Sequence, residues 1–345
     1  MPETMITSVE IERLRGIREG KLEDLRALTV LVGLNGSGKS TVLDALLLGA
    51  HDEPGVGIGV VGVRRRGSPR PARWLFTGGQ AGSTAVVRVR CGDSTERSLR
   101  MEWHEGREPE ADEPVKKRER EQYGAVVWWA PADDEKQHSA TLFAGDDYRA
   151  QDQQPIPGTL GSKVRFLDAM HRRRRVGLPQ LLRQALELGT LGVVKELLAS
   201  ALPGFRNAQV LPDSGTSVLY LELESGALPV EQTSDGIRWV TTLCFELAIM
   251  ERGLLLIEEP ETHLHPGFMA LSARAIVAAV RAGAQVVLST HSLEFIDHVA
   301  AAMRAEDITK LAVHQLSLEG GVLVSSPLVG EDVAFTRFRL DADVR

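Results

Sequence analysis

The chain has 345 residues, of which 43% are hydrophobic and 25% are charged, and its formal net charge is -7. This composition is typical of a globular protein with a hydrophobic core, and it excludes a globally basic nucleic-acid-binding protein. The two cysteines, Cys91 and Cys244, lie far apart, which excludes a disulfide framework and favours a reducing cytoplasm. The first residues lack the apolar core of a signal peptide, and no apolar run reaches the ~18 residues of a membrane-spanning helix. We therefore expect a cytoplasmic protein that does not enter the membrane.

The first fifty residues predict two strands, a glycine-rich turn and a helix. The segment ITSVEIERLRGI alternates apolar and polar residues, as a half-buried strand does. The segment LTVLVG is a continuous apolar run, which is typical of a buried strand. The segment STVLDALLLGA follows with helical spacing.

Two stretches in the middle of the chain differ in character. Residues 51–160 are rich in glycine, proline and charge, and they predict a β-rich and loop insertion with strands at RWLF, STAVVRVRC and YGAVVWWA. The charged run HEGREPEADEPVKKREREQ and the polar stretch PADDEKQHSATLFAGDDYRAQDQQPIP favour solvated loops. Residues 161–204 predict a helical insertion, because LPQLLRQALELGTLGVVKELLASAL has apolar residues at i, i+3 and i+4.

Strands and helices alternate over residues 205–345. The segments SVLYLELES, LLLI and QVVLST predict strands, and GIRWVTTLCFELAIMER, GFMALSARAIVAAVRAG and LEFIDHVAAAMRA predict helices. KLAVHQLSLEGGVLVSS predicts a hairpin that turns at Gly320 and Gly321. Alternating strands and helices predict an α/β fold with a parallel sheet covered on both faces.

The segment GLNGSGKST fits the phosphate-loop pattern G-x-x-x-x-G-K-[ST], and it lies between a predicted strand and a predicted helix. Backbone N–H groups of such a loop, together with the helix N-terminus, bind phosphate oxygens. We expect Lys39 to place its charge on the β- and γ-phosphates and the Ser40 hydroxyl to ligate Mg²⁺. The predicted nucleotide-binding residues are Gly33, Leu34, Asn35, Gly36, Ser37, Gly38, Lys39, Ser40 and Thr41.

The segment LLLIEEPETHLHP admits two interpretations. In the first, Glu258 ends a strand and ligates Mg²⁺ through water, while Glu259 is the general base on the attacking water. In the second, the segment forms a structural metal site, although no further cysteine or histidine lies nearby to complete its ligands. The ligands of that metal site would be Glu259, Glu261, His263 and His265.

Two further segments contain candidate site residues. His291 follows the predicted strand QVVLST, where ligands bind in parallel sheets, and it is a candidate to hydrogen-bond the γ-phosphate or the attacking water. A purely structural histidine is the alternative. Ser234 and Gly236 precede a predicted helix, and by themselves they indicate a helix N-cap and turn.

Together these four segments resemble the ATP-binding-cassette (ABC) ATPases, and most of all the branch of the OLD (overcoming lysogenization defect) nucleases and stand-alone OLD-like ATPases. SMC and RecF proteins are more distant relatives. GLNGSGKST is similar to the Walker A motif, LLLIEEPETHLHP to the Walker B motif with its D-loop, SDG to the signature motif and STHS to the H-loop. The segment RLRGI is similar to the family's strand-end arginine motif, which implies that Arg15 contacts the nucleotide.

The resemblance covers residues 5–50 and 205–345, but no motif extends it to residues 51–205. The signature segment lacks the common Leu-Ser-Gly-Gly-Gln form, Glu258 stands where most relatives have aspartate, and no glutamine is identified for the Q-loop. The first two departures, in the signature segment and at Glu258, are compatible with this branch.

The resemblance implies a fold, an assembly and an activity. The fold is an ABC-type P-loop ATPase head over residues 1–345, with a mixed sheet, an antiparallel β subdomain and a helical insertion. Residues 205–345 would form the lobe with the signature, Walker B and H-loop segments. Two chains would form a head-to-tail homodimer in which ATP bound to one chain meets Ser234 and Gly236 of the other. Lys39, Glu259 and His291 would be the catalytic residues.

Three hypotheses for the biological role follow. OLD nucleases have a C-terminal Toprim domain, and we expect none after the final predicted hairpin. The first hypothesis is therefore an ATPase that works with a separate nuclease or toxin, for instance in phage defence. The second is a RecF-like DNA-repair ATPase, and the third is a non-catalytic scaffold controlled by ATP. DNA would bind to phosphate-contacting arginines without base-stacking aromatics around them, at Arg64–Arg66 with Arg70 and Arg73, and at Arg172–Arg175.

Overall fold

The computed structural model describes residues 5–64, 71–105, 124–129, 139–144, 147–151, 164–168, 177–213, 215–250, 253–262 and 264–334. Its strands are β1 (Ile6–Leu14), β2 (Ile17–Leu22), β3 (Leu28–Val32), β4 (Thr84–Cys91), β5 (Glu96–His104), β6 (Gly124–Trp129), β7 (Ser139–Ala144), β8 (Asp147–Gln151), β9 (Val164–Leu167), β10 (Phe205–Asp213), β11 (Thr216–Leu223), β12 (Gly226–Pro229), β13 (Leu254–Glu258), β14 (Gln285–Ser289), β15 (Leu311–Glu319) and β16 (Val322–Val329). Its helices are α1 (Lys39–Ala50), α2 (Pro54–Val63), α3 (Leu178–Glu187), α4 (Leu191–Ala201), α5 (Asp235–Ile249), α6 (Pro266–Arg281), α7 (Leu293–Ala302) and α8 (Glu331–Ala334), with 3₁₀ helices at Pro71–Leu75, Val230–Gln232 and Ala305–Lys310.

The chain divides into two compact units. The first unit comprises Met1–Arg26, Gly33–Val164 and Gln315–Pro327, and the second comprises Ala27–Val32, Arg165–His314 and Leu328–Arg345. The division passes through the chain between β3 and the phosphate loop, and again within the final hairpin of β15 and β16.

The first unit is built on a mostly antiparallel sheet. Seven strands pair antiparallel in the order β8-β7-β6-β5-β4-β1-β2, and the start of β16 then pairs parallel with β2. Along β5 the even-numbered residues are more exposed than their neighbours, which is the period-two pattern of a sheet with one buried face. Helix α1 packs closely on this sheet: a Cβ on Gly49 would lie 2.5 Å from a methyl group of Val89.

The second unit has a parallel core. Strands β3, β14 and β13 lie side by side and run parallel, with Val30 opposite Leu288 and Leu288 opposite Ile257. Helices α3 to α7 contribute buried apolar residues to one core cluster, whose largest side chains include Trp239, Phe245 and Phe295. Strands β10, β11 and β12 form a separate antiparallel sheet. The central parallel strands are thus buried on both faces, as their continuous apolar sequences predict.

The predicted α/β class with a mixed sheet is confirmed, but several elements differ from the prediction. The segment RWLF does not form a strand, because Pro71 begins a 3₁₀ helix there and Phe76 makes only an isolated bridge with Leu14. Strand β2 separates the two strands that the first fifty residues predict, and β9 lies within residues 161–204, which were predicted to be a helical insertion. Strands β7 and β8 lie in a stretch predicted to be loop.

Helix α2 was also missed, because four glycines in PGVGIGVVGV lower helix propensity. Its residues are mostly buried, and Pro54 stands in the first turn, where proline is compatible with a helix. Burial of this apolar segment therefore outweighs its weak intrinsic propensity. Among the described residues, no helix has both the length and the hydropathy needed to cross a membrane.

Candidate nucleotide-binding site

The phosphate loop connects β3 to α1 through three glycines with positive φ. Gly33, Gly36 and Gly38 have φ values of 139°, 81° and 97°, which L-amino acids with side chains rarely adopt. At Gly33 a Cβ would also lie 2.4 Å from the carbonyl oxygen of Leu316, a distance that excludes any side chain. The glycines of the sequence pattern are therefore required by the backbone of the loop.

Lys39 is the first residue of α1, and it is only 6% exposed. Its Nζ donates hydrogen bonds to the carbonyl oxygens of Gly33, at 2.8 Å, and Leu34, at 3.0 Å. A buried ammonium group needs such acceptors, because burial without partners would be strongly unfavourable. Backbone carbonyl groups of the phosphate loop thus hold the ammonium group of Lys39 in place.

The amino end of α1 is suited to an anion. Its N-cap, Gly38, has no side chain to accept the first helical N–H groups, and the first turn contains no acidic residue. These N–H groups and the positive end of the helix dipole attract negative charge. Leu34, Asn35 and Gly36 are exposed, whereas the remaining loop residues, Ser37, Ser40 and Thr41, are buried or half-buried.

Arg15 is held against α1 by a buried carboxylate that the sequence analysis did not identify. Its Nε lies 2.9 Å from Asp44 Oδ2, and its guanidinium also donates to the carbonyl oxygen of Val61 at 3.4 Å. Asp44 is 1% exposed and forms a second ion pair with Arg64. An aspartate in the otherwise apolar segment TVLDALLLGA was the signal that could have revealed it.

A second arginine holds the carboxyl end of α1. Arg97, which is 7% exposed, donates to the carbonyl oxygens of Ala50 and His51 and so satisfies groups that the helix leaves without partners. Burial lowers the pKa of Arg97 and of His51, and it raises the pKa of Asp52. Both ends and the middle of α1 are therefore fixed by polar contacts within the first unit.

In the second unit, Glu258 and Ser289 end two neighbouring parallel strands. They are the last residues of β13 and β14, and their backbones lie opposite each other. The next residue, Thr290, donates its N–H to Leu31 O of β3 at 3.0 Å. The carboxyl ends of the three parallel strands thus lie at one edge of this sheet, the edge where parallel α/β sheets bind ligands.

Glu259 and His291, which two separate segments predicted, are neighbours in the structure. Glu259 Oε1 lies 3.5 Å from His291 Nε2, and Glu259 Oε2 accepts a hydrogen bond from Thr262 Oγ1 at 3.2 Å. Glu259 has a φ of 48°, which is strained for a residue with a side chain. Its N–H donates to Ser289 O at 3.0 Å, which holds the strained residue beside the end of β14.

The remaining residues of the proposed metal site have other roles or lie outside the described ranges. Glu261 Oε1 accepts a hydrogen bond from the backbone N–H of His291 at 2.9 Å. His265 caps α6, since its Nδ1 accepts the N–H of Gly267 at 3.2 Å. His263 lies outside the described residues. Within the described ranges, no group of three or more histidine, cysteine, aspartate or glutamate residues could hold a metal ion.

Ser234 and Gly236 form the helix start that their sequence indicates. Ser234 is the N-cap of α5, and its Oγ accepts the N–H of Ile237 at 3.4 Å. Gly236 is buried, and a Cβ there would lie 2.6 Å from the ring of Phe268. The N-cap interpretation is confirmed, and contact with a nucleotide on a second chain stays a prediction.

The arginine clusters are described only in part. Arg64 pairs with Asp44, whereas Arg65, Arg66, Arg70 and Arg172–Arg175 lie outside the described residues, as does most of the charged run between β5 and β6. The expectation that no aromatic residue accompanies the first cluster was wrong. Trp74 is 54% exposed, and the guanidinium of Arg73 lies 4.9 Å from its ring centre.

Comparison with known proteins identifies the family. Residues 28–297 match the model of the family described as "AAA domain, putative AbiEii toxin, Type IV TA system". The chain belongs to this family. It is thus an AAA-domain protein of the P-loop ATPase class, which confirms the broader part of the predicted resemblance. A search of curated proteins found no match.

Solved structures of SMC heads share the fold of this AAA-domain protein. One is an Smc head bound to the C-terminal winged-helix domain of ScpA, with a TM-score of 0.55 and 16% identity over 94% of this chain and 98% of that one. Another is an Smc head with an extended coiled coil bound to the C-terminal domain of ScpA from Pyrococcus furiosus, with a TM-score of 0.53 and 15% identity over 98% and 99% of the two chains. At these identities the likeness establishes the fold alone, that of an ABC-type ATPase head.

Proposed function

We propose that this AAA-domain protein binds and hydrolyses ATP, and that ATP-driven dimerisation controls a separate effector protein. The observation that carries the proposal is the pairing of Glu259 with His291 at the ends of parallel strands, in a chain with a complete phosphate loop. A carboxylate beside an imidazole is a pair of groups suited to proton transfer and to orienting water. Membership in the family supports ATP as the substrate.

The first unit would bind the phosphates of ATP. The backbone N–H groups of the loop and the uncapped start of α1 would bind phosphate oxygens, and Lys39 would exchange its carbonyl partners for the β- and γ-phosphates. Arg15, which Asp44 orients, would contact the nucleotide. Thr41 follows Ser40 in the first turn of α1, at the end of the phosphate-loop motif, and it would also bind the nucleotide.

The oxygen donors of the chain fit Mg²⁺. This ion prefers oxygen ligands and usually takes only one or two from the protein, with the rest from water and phosphate. Ser40 offers a hydroxyl, and Glu258 offers a carboxylate at the end of β13. When bound, Mg²⁺ would neutralise phosphate charge.

Glu259 would act as the general base. Its carboxylate would take a proton from the attacking water, and His291 would hydrogen-bond that water or the γ-phosphate. The strained φ of Glu259 supports a functional role, because such strain clusters at active sites.

For the assembly, we propose a head-to-tail homodimer in which Ser234 and Gly236 of one chain meet ATP on the other. The N-cap position of Ser234 supports this, because it leaves the hydroxyl exposed at the start of α5. We also propose that residues 1–345 act as one ABC-type head, with 51–160 and 161–204 as insertions and 205–345 as the lobe of the signature, Walker B and H-loop segments.

The effector would be a nuclease or toxin in the cytoplasm, in the manner of the OLD-like branch and of phage defence. The family description names a type IV toxin–antitoxin system, which supports a role in a system of this kind. Hydrolysis of ATP to ADP would separate the dimer and release the effector, so the rate of hydrolysis would set how long the effector stays bound.

Two variants and a matched control test this function. Lys39→Ala should abolish ATP binding, because the loop loses its charge towards phosphate. Glu259→Gln should bind ATP, fail to hydrolyse it and accumulate as a dimer. Size-exclusion chromatography with light-scattering detection would measure the dimer. Glu294→Gln, on the exposed side of α7, should behave as the wild type. Retained ATP affinity in Lys39→Ala, or wild-type hydrolysis in Glu259→Gln, would refute the assignments.

A DNA-dependent ATPase is the second candidate, and the exposed Trp74 beside Arg73 favours it. An arginine–tryptophan pair offers both charge and a stacking surface for single-stranded nucleic acid. The test is the steady-state ATPase rate with and without DNA, with Lys39→Ala as the blank. Strong stimulation by DNA that Trp74→Ala removes would favour this role, and an unaffected rate would favour a protein partner. ATP binding without any hydrolysis by the wild type would instead favour the non-catalytic scaffold.

A further inference from the structure

Glu261 links the turn after β13 to the end of β14. Its Oε1 accepts the backbone N–H of His291 at 2.9 Å, across 30 positions of the sequence. Glu259, two residues earlier in the same turn, contacts the ring of the same histidine. The carboxylate of Glu261 thus binds the backbone of His291, and the carboxylate of Glu259 lies beside its imidazole ring.

The other side of His291 is fixed as well. Thr290 Oγ1 accepts the N–H of Ser292 at 3.0 Å, and Ser292 caps α7 by accepting the N–H of Phe295 at 3.1 Å. Thr290 itself donates to Leu31 O of β3. Glu261 therefore supplies the one contact in this set that ties the backbone of His291 to the Glu259 turn.

The burial of the second carboxylate oxygen of Glu261 does not stabilise the fold. Oε2 is enclosed from solvent, and it has no hydrogen-bond partner among the described residues. An enclosed carboxylate oxygen without a partner is unfavourable, since a charged group loses its hydration there. A buried polar atom without a partner calls for an explanation, and a functional role is one.

We propose that Glu261 is a positioning residue that sets the orientation of His291 beside Glu259. This rests on the proposed ATP hydrolysis. Glu261 does not contact the nucleotide in this mechanism. It fixes the backbone from which the imidazole projects, and hence the separation of Nε2 from the carboxylate of Glu259, which is 3.5 Å in the structure. Small displacements of a catalytic group are costly, because rate depends steeply on alignment.

The experiment compares three substitutions at this position. Glu261→Ala removes the acceptor of the His291 N–H, and kcat for ATP should fall by roughly ten- to a hundredfold with little change in KM. Glu261→Gln keeps an amide oxygen as acceptor and should restore most of the rate. Glu261→Asp keeps the charge but is one methylene shorter, and it should be impaired. Because it is a smaller change, it also carries the test if the alanine variant does not fold. Glu294→Ala is the matched control, because it removes a glutamate from α7, the helix that follows His291, and it should keep the wild-type rate.

Hydrogen exchange gives a readout that does not depend on hydrolysis. The amide of His291 should exchange faster in Glu261→Ala than in the wild type, whereas Glu261→Gln should keep its protection. If the wild type does not hydrolyse ATP, the proposed function fails, and exchange still tests the link between the two strand ends. If the wild type is active and Glu261→Ala matches its kcat, or if the His291 amide exchanges equally in both, the positioning role is refuted. Equal loss of rate in the alanine and glutamine variants would refute it too.

Discussion

Asp44→Asn is expected to destabilise the first unit and to weaken ATP binding. Asp44 is 1% exposed and is the shared counter-ion of Arg15 and Arg64, whose side chains are 12% and 11% exposed. Asparagine has nearly the same shape as aspartate but no charge. The substitution therefore leaves two largely buried guanidinium groups facing each other without their counter-ion.

The expected magnitude follows from this burial. Removing one partner of a buried ion pair typically costs about 3–5 kcal/mol. The arginines keep some exposure, and the asparagine oxygen can still accept one hydrogen bond, so we expect about 2–3 kcal/mol. For a unit of this size the unfolding midpoint should fall by roughly 4–12 °C. Arg15 would lose its fixed orientation, and we expect ATP affinity to fall about tenfold, which corresponds to ~1.4 kcal/mol.

Chemical denaturation and nucleotide titration separate the two effects. Arg64→Met removes one arginine but leaves the pairing of Asp44 with Arg15, so it should lower stability without a comparable loss of ATP affinity. Adding Arg64→Met to Asp44→Asn should recover part of the stability, because one unpaired charge is removed. If Asp44→Asn unfolds at the wild-type denaturant concentration and binds ATP with wild-type affinity, Asp44 does not hold Arg15 in place.

Two further predictions concern the second unit. Gly236→Ala should lower the free energy of unfolding in denaturant by about 1–3 kcal/mol, because its Cβ would lie 2.6 Å from the Phe268 ring. Gly267→Ala is the matched control, because the atom nearest to its Cβ would be 3.6 Å away. Equal losses of stability in the two variants would contradict this prediction. Asp307 is 4% exposed, and its hydrogen bonds with Arg281, and then Lys310, lower its pKa. A carboxyl whose folded pKa is depressed adds stability above its unfolded pKa of about 3.9, and that stability is lost as pH falls through the folded value. The stability difference between wild type and Asp307→Asn should therefore be constant near neutral pH and shrink below about pH 4, and a difference that stays constant under acid would exclude this contribution.

The parts of the site that sequence could predict are those with a local cause. The glycines at 33, 36 and 38 are required by the loop backbone itself, and the loop needs only the flanking strand and helix to be identified. The proximity of Glu259 and His291 was also predictable, because each follows an apolar strand, and the ends of parallel strands share one edge of a sheet. The rule predicts the edge but not which atoms meet there.

The parts that sequence could not predict depend on distant pairings. Asp44 gains its role from Arg15 and Arg64, which lie 29 and 20 positions away, and no local pattern contains that information. Arg97 reaches the end of α1 from β5, 46 positions from His51. Helix α2 shows the same limit for secondary structure, since burial rather than propensity decides its conformation.

Backbone strain connects two of the proposed nucleotide-site residues. Arg15 and Glu259 have positive φ values of 53° and 48°. Among the described residues that are not glycine, Arg13, Asp24 and Ser94 also have a positive φ. Glycine would adopt these angles at lower cost, so the long side chains at 15 and 259 need another explanation than the turn.

Their contacts supply that explanation. Hydrogen bonds to neighbouring segments fix both backbones: Arg15 N donates to Leu75 O at 2.8 Å, and Glu259 N donates to Ser289 O at 3.0 Å. The side chains then meet charged or ionisable partners, Asp44 for Arg15 and His291 for Glu259, and each makes a further hydrogen bond, with Val61 O and Thr262 Oγ1 respectively. Strain of this kind persists only where the surrounding structure fixes it, which is why tertiary contacts rather than sequence patterns determine where each charged group lies. The two units thus use the same arrangement, a strained backbone that aims one charged side chain, at the two places where the proposed mechanism needs a fixed charge.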